Sequence, residues 1–69
     1  MPAKRPPTIG QRIRSAREAA ALTQVDLAAA AGTTQDHISD VERDVHTPGL
    51  ALLARLAKVL GVGLGELVE

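Results

Sequence analysis

The polar side chains with the clearest chemical use lie on either side of Gly32, in the segment TQVDLAAAAGTTQDHISDVER, residues 23–43. Gln24 and Gln35 carry amides that donate and accept hydrogen bonds at the same time. Such an amide can bond adenine N6 and N7 together, so a glutamine at the exposed start of a helix has a specific use at a base edge. The alternative for Gln35 is a surface polar residue beside a helix cap.

Five further residues of this segment could contact nucleic acid. Asp36 and Asp40 can accept a hydrogen bond from cytosine N4, but an aspartate also repels phosphate. Asp36 could equally stabilise a helix N-terminus through the helix dipole, whereas Asp40, one turn later, gains nothing from that dipole. Ser39 and His37 can reach the backbone or a base edge, although a lone histidine is more often a surface residue than a metal ligand, and no metal site is predicted. Arg43 is the only cation of the segment, and a phosphate contact is its natural role.

The apolar pattern of the segment places these side chains on two short helices. Thr23 and Thr34 are good helix N-caps, and Asp26 completes a weak capping box with Thr23. Gly32 stands between the two patterns, where one helix must stop and the chain must turn. Ile38 is the buried apolar residue of the second helix. Two short helices joined in this way form a helix-turn-helix, whose second helix can enter a DNA major groove.

The rest of the chain predicts three more helices around this pair. The first begins after Thr8, where Gln11 completes a T-x-x-Q capping box, and the fourth follows Pro48 and ends at Gly61. The fifth is weak because it contains glycine. We predict helices at residues 9–20, 24–31, 35–43, 49–60 and 64–68. The side chains expected to be buried are Ile13, Leu27, Ala28, Ile38, Leu53, Ala57 and Leu60.

The fourth helix carries two apolar edges. Its inner face is predicted to hold Leu50, Leu53, Leu56, Ala57 and Leu60. Leu52 and Val59, seven residues apart, form a second edge that we expect to be exposed, which suggests a partner surface, although scattered exposed leucines are normal. Together with Leu64 and Val68 of the fifth helix, they are the candidates for contact with a second copy of the chain.

Length and composition limit the fold to one small all-α domain. The chain has 69 residues, no cysteine and no aromatic residue, so its core must consist of Leu, Ile, Val and Ala without disulfides or cysteine-based zinc. No β-branched alternating run predicts a strand. No apolar run approaches membrane-spanning length and no signal-peptide pattern appears, so a cytoplasmic protein with no membrane partner is the default expectation.

Charge is unevenly distributed along a chain whose net charge is zero. Residues 1–22 carry five basic side chains and one acidic one, a net of +4, whereas residues 23–44 carry one basic and five acidic ones, a net of −4. Residues 1–7 contain three prolines together with Lys4 and Arg5, and we predict a flexible arm there, followed by the helical domain at residues 8–69. The arm is either a solubilising tail or a segment that follows the DNA backbone.

The fragments IGQRIRSAR, LTQVDLAAAAGTTQDHIS, VER, TP and LLARLAKVLGV, in this order and spacing, resemble the Cro and phage-repressor type of DNA-binding domain, the XRE family. The resemblance extends over residues 9–68. It implies a compact five-helix bundle with a central helix-turn-helix. It also implies that Gln24 contacts phosphate and supports Gln35, which favours the functional interpretation of Gln35, and that Arg17 forms a structural ion pair with Glu42, with a solvated Arg17 as the alternative.

Two candidate sets of DNA contacts follow from the residue types and the resemblance. The base-edge set is Gln35, Asp36, Ser39 and Asp40. The set that contacts phosphate or supports the interface is Lys4, Arg5, Thr23, Gln24, Thr34, His37 and Arg43.

The chain departs from the family pattern at the end of the second helix of the motif. Asp44 stands where the family commonly has a glycine, which the turn can tolerate because aspartate adopts the left-handed conformation better than most residues. The following loop, VHTP, lacks the Lys and Arg that usually hold phosphate. Tight nonspecific backbone binding is therefore not expected.

The sequence thus predicts a sequence-specific DNA-binding transcriptional regulator, a repressor by resemblance, that binds double-stranded DNA as a homodimer. The alternative is a protein-interaction module on the same fold, such as an antitoxin-like, anti-repressor or adaptor domain with weak DNA binding. No catalytic residues, cofactor or metal are predicted, because no nucleophile or metal cluster accompanies His37, Asp36 and Asp40.

Overall fold

The computed structural model describes residues 5–68, which form five α-helices and contain no strand. The helices are α1 (Ile9–Ala19), α2 (Gln24–Ala31), α3 (Gln35–Glu42), α4 (Leu50–Leu60) and α5 (Leu64–Val68). The predicted helices at residues 9–20, 35–43 and 49–60 each extend one residue too far. In all three cases that residue, Ala20, Arg43 or Gly49, is the cap of the helix and not part of it.

Local signals explain where the helices of the central pair begin and end. Thr23 accepts a hydrogen bond from the backbone N–H of Asp26, whose carboxylate accepts in return from the backbone N–H of Thr23. Gly32 ends α2 with φ 71° and ψ 36°, the left-handed conformation that glycine adopts without strain. The N–H of Thr33 then donates to the Ala28 carbonyl at 2.9 Å, which closes the turn before α3.

All seven side chains predicted to be buried are buried, and together with other aliphatic residues they form a single core. Ile38 of α3 is fully buried against the helices that pack on α3, as the helix-turn-helix prediction required. The largest fully buried side chains are Ile13, Leu27, Ile38, Val41, Leu56 and Leu67.

The predicted faces of α4 are wrong at two leucines. Leu52 is buried with 9% exposure, so it belongs to the core and not to an exposed edge. Leu50, expected inside, is 73% exposed in the first turn. The reason is that α4 packs against α1, α2 and α5 together, so a wide stripe of the helix is covered.

The first turn of α1 lies directly on the C-terminal end of α3. A Cβ atom added at Gly10 would lie 2.7 Å from the Glu42 carbonyl oxygen, so only glycine permits this approach of two backbones. Asp44 follows α3 in the left-handed conformation, with φ 60°, as its position in the family pattern required. Its carboxylate accepts hydrogen bonds from the Gly10 N–H at 3.1 Å and the Thr8 hydroxyl at 2.6 Å, and this joins the two helices at their ends.

Candidate nucleic-acid interface

The helix-turn-helix presents one polar face of α3 to the solvent. Ile38, Val41 and Glu42 of α3 are buried, and the opposite side of the helix carries residues 36, 39, 40 and 43. Gln35 and Asp36 are exposed at the start of α3, where Thr34 accepts a hydrogen bond from the His37 N–H. Three of the four predicted base-edge residues, Asp36, Ser39 and Asp40, thus lie on one side of the helix, and Gln35 is exposed in its first turn.

A buried carboxylate connects α1, α2 and α3 behind this surface. Glu42, whose side chain is 3% exposed, accepts hydrogen bonds from Arg17 through Nε at 2.6 Å and Nη2 at 3.1 Å. The Gln24 amide donates a third hydrogen bond to Glu42 at 3.2 Å. The Arg17–Glu42 contact predicted from the family resemblance is therefore present as a bidentate ion pair.

The contacts of the ion pair favour the charged state of Arg17. The pKa of Arg17 is raised by its hydrogen bonds to Glu42 and by the attraction of that charge, against the opposing effect of burial. Arg17 also donates through Nη1 to the Leu22 carbonyl at 2.9 Å. No buried side-chain nitrogen or oxygen in the described part of the chain lacks a hydrogen-bond partner, so the buried charges are fully compensated there.

The exposed face of α3 contains a second ion pair. Arg43 donates to Asp40 Oδ1 at 2.7 Å, and His46 Nε2 lies 3.8 Å from the other carboxylate oxygen. The ring of His37 lies against that of His46, with centroids 5.9 Å apart. Arg43, expected to contact phosphate, is therefore paired with an aspartate of α3 in the free protein.

His46 is a member of this cluster that the sequence did not single out. The chain after α3 folds back so that the N–H groups of Val45 and His46 both approach the Asp40 carbonyl, at 2.8 and 3.3 Å. The position of His46 depends on the left-handed turn at Asp44, and no spacing rule within a helix gives it.

The three aspartates around α3 have different surroundings. Asp40 is paired with Arg43, and Asp44 lies at the N-terminus of α1, where the helix dipole favours a negative charge. The Asp36 side chain makes no hydrogen bond or ion pair with another residue in the described range 5–68, and Asp36 lies in the first turn of α3. Only Asp36 thus adds an uncompensated negative charge to the exposed face.

The remaining predicted residues are only partly brought to the interface. Arg5 is exposed in the segment before α1, and Lys4 lies outside the described residues. Gln24 is half-buried at the start of α2, and its amide bonds to Glu42 and not to Gln35. Leu64 and Val68 are exposed on α5, and Val59 is partly buried.

Among the residues that the structure describes, we also searched for a metal site and for a membrane-spanning helix. No group of three or more His, Cys, Asp or Glu side chains is placed to hold a metal ion within residues 5–68. Within the same range, none of the helices has the length and apolar character needed to cross a membrane.

The fold and the exposed polar face of α3 define a helix-turn-helix domain. A helix-turn-helix family model, HTH_3, matches residues 13–67, and the chain belongs to this family. This confirms the resemblance deduced from the sequence fragments.

Among curated proteins, the chain is 39% identical over 61 residues to the immunity repressor protein of Bacillus phage phi105. The match includes 88% of this chain and 42% of the repressor, so the chain spans less than half the length of that relative.

Among solved structures, the P22 c2 repressor in complex with a synthetic operator superposes with a TM-score of 0.88 at 28% identity, over 93% of this chain and 97% of that one. The biofilm regulator SinR of Bacillus subtilis in complex with DNA superposes with a TM-score of 0.85 at 32% identity, over 90% and 100% of the two chains.

Proposed function

We propose that the protein is a sequence-specific DNA-binding transcriptional regulator that inserts α3 into the major groove. The observation that carries this proposal is the polar outer face of α3, held by the same helix-turn-helix geometry as in a repressor solved on its operator. A repressor is the form of regulator that the phage relatives favour. Such a protein would act in the cytoplasm on double-stranded DNA.

Specificity in this proposal comes from the exposed side chains of α3. Gln35 is the principal base-reading residue because its amide is exposed and has no partner within the described residues. Asp36, Ser39 and Asp40 follow along the same face. Asp36 is the best placed of the two aspartates to accept from cytosine N4, since the carboxylate of Asp40 already holds Arg43.

Affinity would come from contacts to the phosphate backbone. Gln24, Arg43 and His37 supply side-chain donors, and the N-termini of α2 and α3 supply backbone N–H groups beside Thr23 and Thr34. We further propose that residues 1–7 form an arm that adds Lys4 and Arg5 to these contacts.

A symmetric dimer would place two copies of α3 about 34 Å apart, in successive major grooves. We propose that α5 provides the contact between the copies, through the exposed side chains of Leu64 and Val68 with the edge of Val59. Leu52 is not available for this contact because the core of its own chain covers it. Sedimentation of the wild type and of Leu64→Ser/Val68→Ser tests the proposal: the variant should be monomeric where the wild type is dimeric.

A protein-interaction module is the second candidate function, and one observation favours it. Asp40 pairs with Arg43, the only Lys or Arg of residues 23–43, and the loop after α3 has no Lys or Arg. A domain that binds a protein through this face would have no need of a free cation there.

A selection from random duplexes followed by binding titrations distinguishes the two functions. We expect wild type to prefer selected over random DNA, and Gln35→Ala to lose about 1–3 kcal/mol of binding free energy on the selected duplex only. Gln11→Ala, at a glutamine of α1 whose oxygen accepts from the Thr8 N–H, is the matched control and should bind as wild type. A wild type with no preference for any selected duplex, even at low salt, would support the interaction module.

A further inference from the structure

The hydrogen bond between Gln24 and Glu42 joins the first residue of α2 to the last residue of α3. Glu42 is buried, whereas Gln24 is half-buried at the edge of the proposed interface. A buried carboxylate thus reaches a side chain that belongs to the DNA-binding surface. From this arrangement we infer that Glu42 is a positioning residue that sets the orientation of the Gln24 amide for phosphate binding. The inference rests on the proposed DNA-binding function.

The chemistry of the two groups fixes the orientation of the amide. An ionised carboxylate only accepts hydrogen bonds. The Gln24 amide therefore turns its Nε2 group, and not its oxygen, toward Glu42. One of the two Nε2 hydrogens is used in this bond. The second remains a donor, and a phosphate oxygen, which also only accepts, requires such a donor. Without Glu42, the amide could turn and present its carbonyl oxygen to phosphate, where two acceptors repel.

Arg17 keeps the Glu42 carboxylate in the place that this role requires. Its guanidinium donates two hydrogen bonds to the carboxylate, from Nε to Oε2 and from Nη2 to Oε1. The same guanidinium donates to the carbonyl of Leu22, two residues before Gln24. The ion pair therefore restrains both the backbone that leads into α2 and the side chain that opens it.

A double-mutant cycle on DNA binding separates positioning from a purely structural role. Glu42→Asp keeps the charge beside Arg17, but its shorter side chain does not reach Gln24. We expect Glu42→Asp to weaken binding to a selected duplex about 10- to 100-fold, the effect of one hydrogen bond to a charged group. In a Gln24→Ala background the same substitution should change affinity by less than about twofold, because the group that it positions is gone.

The matched control is Glu18→Asp, which shortens the carboxylate of the exposed Arg14–Glu18 pair on α1 and should leave affinity unchanged. Binding of every variant is measured at a temperature where circular dichroism shows the protein to be fully folded. Equal losses with Gln and with Ala at position 24 would overturn the inference, since Glu42 would then act through the fold alone.

A measurement on the free wild type gives an independent test. The side-chain amide protons of Gln24 should exchange with solvent more slowly in NMR spectra than those of the exposed Gln35, because one of them is bonded to a buried carboxylate. Equal exchange rates would overturn the inference. If wild type binds DNA selectively but the effects of the two substitutions simply add, only the positioning role of Glu42 is overturned. If wild type prefers no duplex, both the proposed function and this role are overturned.

Discussion

Three aspartates around α3 have three different surroundings. Asp44 accepts hydrogen bonds at the start of α1, Asp40 binds Arg43, and Asp36 lies in the first turn of α3 without a partner in the described range. The sequence pattern could place Asp36, since first-turn acidic residues follow a local rule. It could not place the other two carboxylates, whose partners depend on the turn at Asp44.

Arg17 should contribute more to stability than a solvent-exposed arginine of the same helix. Arg17→Ala leaves the Glu42 carboxylate buried without its cation, so it should cost about 1–3 kcal/mol more in free energy of unfolding than Arg14→Ala. Urea unfolding followed by circular dichroism measures both.

Arg14 is the suitable control because its ion pair with Glu18 is exposed. Arg12, at first sight an equivalent surface residue, donates to the carbonyls of Pro7 and Glu66 and therefore connects α1 to the chain at both ends. Equal losses for Arg17→Ala and Arg14→Ala would show that the buried ion pair adds nothing to the fold.

Asp26 should make stability depend on pH at the acid end. Its pKa is lowered by the hydrogen bond from the Thr23 backbone N–H and then by the Thr23 side chain. A lowered folded-state pKa means that the contribution is present above the ordinary value near 4 and is lost as pH falls through the folded-state value. Wild type should exceed Asp26→Asn in melting temperature at pH 7, and the difference should vanish at acid pH.

Asp36→Asn is the control for this pH dependence. Asp36 also lies in the first turn of a helix, but it has no hydrogen bond from the cap residue. If Asp36→Asn shows the same acid-dependent difference, the helix dipole and not the capping box is responsible.

At the level of elements, the helix ends were predictable to within one residue, whereas the burial of individual α4 side chains was not. Thr8, Thr23 and Thr34 are caps by residue type and spacing, and Gly32 and Gly61 end helices in the left-handed conformation. These signals act within one turn of the chain. The exposure of Leu50 and the burial of Leu52 depend instead on how three other helices surround α4.

The junction between α1 and α3 is the most sensitive contact between elements. Gly10→Ala would force a methyl group against the backbone carbonyls of Val41 and Glu42, which cannot turn away as a side chain could. We expect a loss of about 1–3 kcal/mol in free energy of unfolding, the usual cost of overpacking. Chemical denaturation measures it.

Gly65→Ala is the matched control because the added methyl group meets nothing within 4 Å in α5. Alanine is also the better helix former, so this variant should be neutral or more stable by up to about 1 kcal/mol. A Gly10→Ala variant as stable as Gly65→Ala would show that α1 and α3 are free to separate.

At the level of the whole molecule, a net charge of zero does not describe the electrostatics of the interface. Two of the three acidic side chains near the exposed face are compensated within the chain, by Arg43 and by the N-terminus of α1. The sequence showed the opposite charges of residues 1–22 and 23–44, but not which of them neutralise each other. The structure shows that the Asp40 carboxylate is paired with Arg43 in the free protein, whereas its contact with a base edge stays a prediction.

Salt dependence of DNA binding should reveal this restraint. A domain that neutralises Z phosphates loses affinity with salt at a log–log slope of about −0.9Z, and few free cations imply a shallow slope for wild type. Asp40→Asn removes the partner of Arg43, so it should raise affinity for random duplex and steepen the slope by about one unit. Arg43→Ala should weaken binding to selected and random DNA alike.

Asp36→Asn is the control, because it removes the same charge from the same face without freeing a cation. The affinity of this variant for random DNA should rise while the salt slope stays unchanged. Titrations of the four proteins at several salt concentrations measure both quantities, and identical slopes for the two Asp→Asn variants would show that Asp40 does not hold Arg43 away from phosphate.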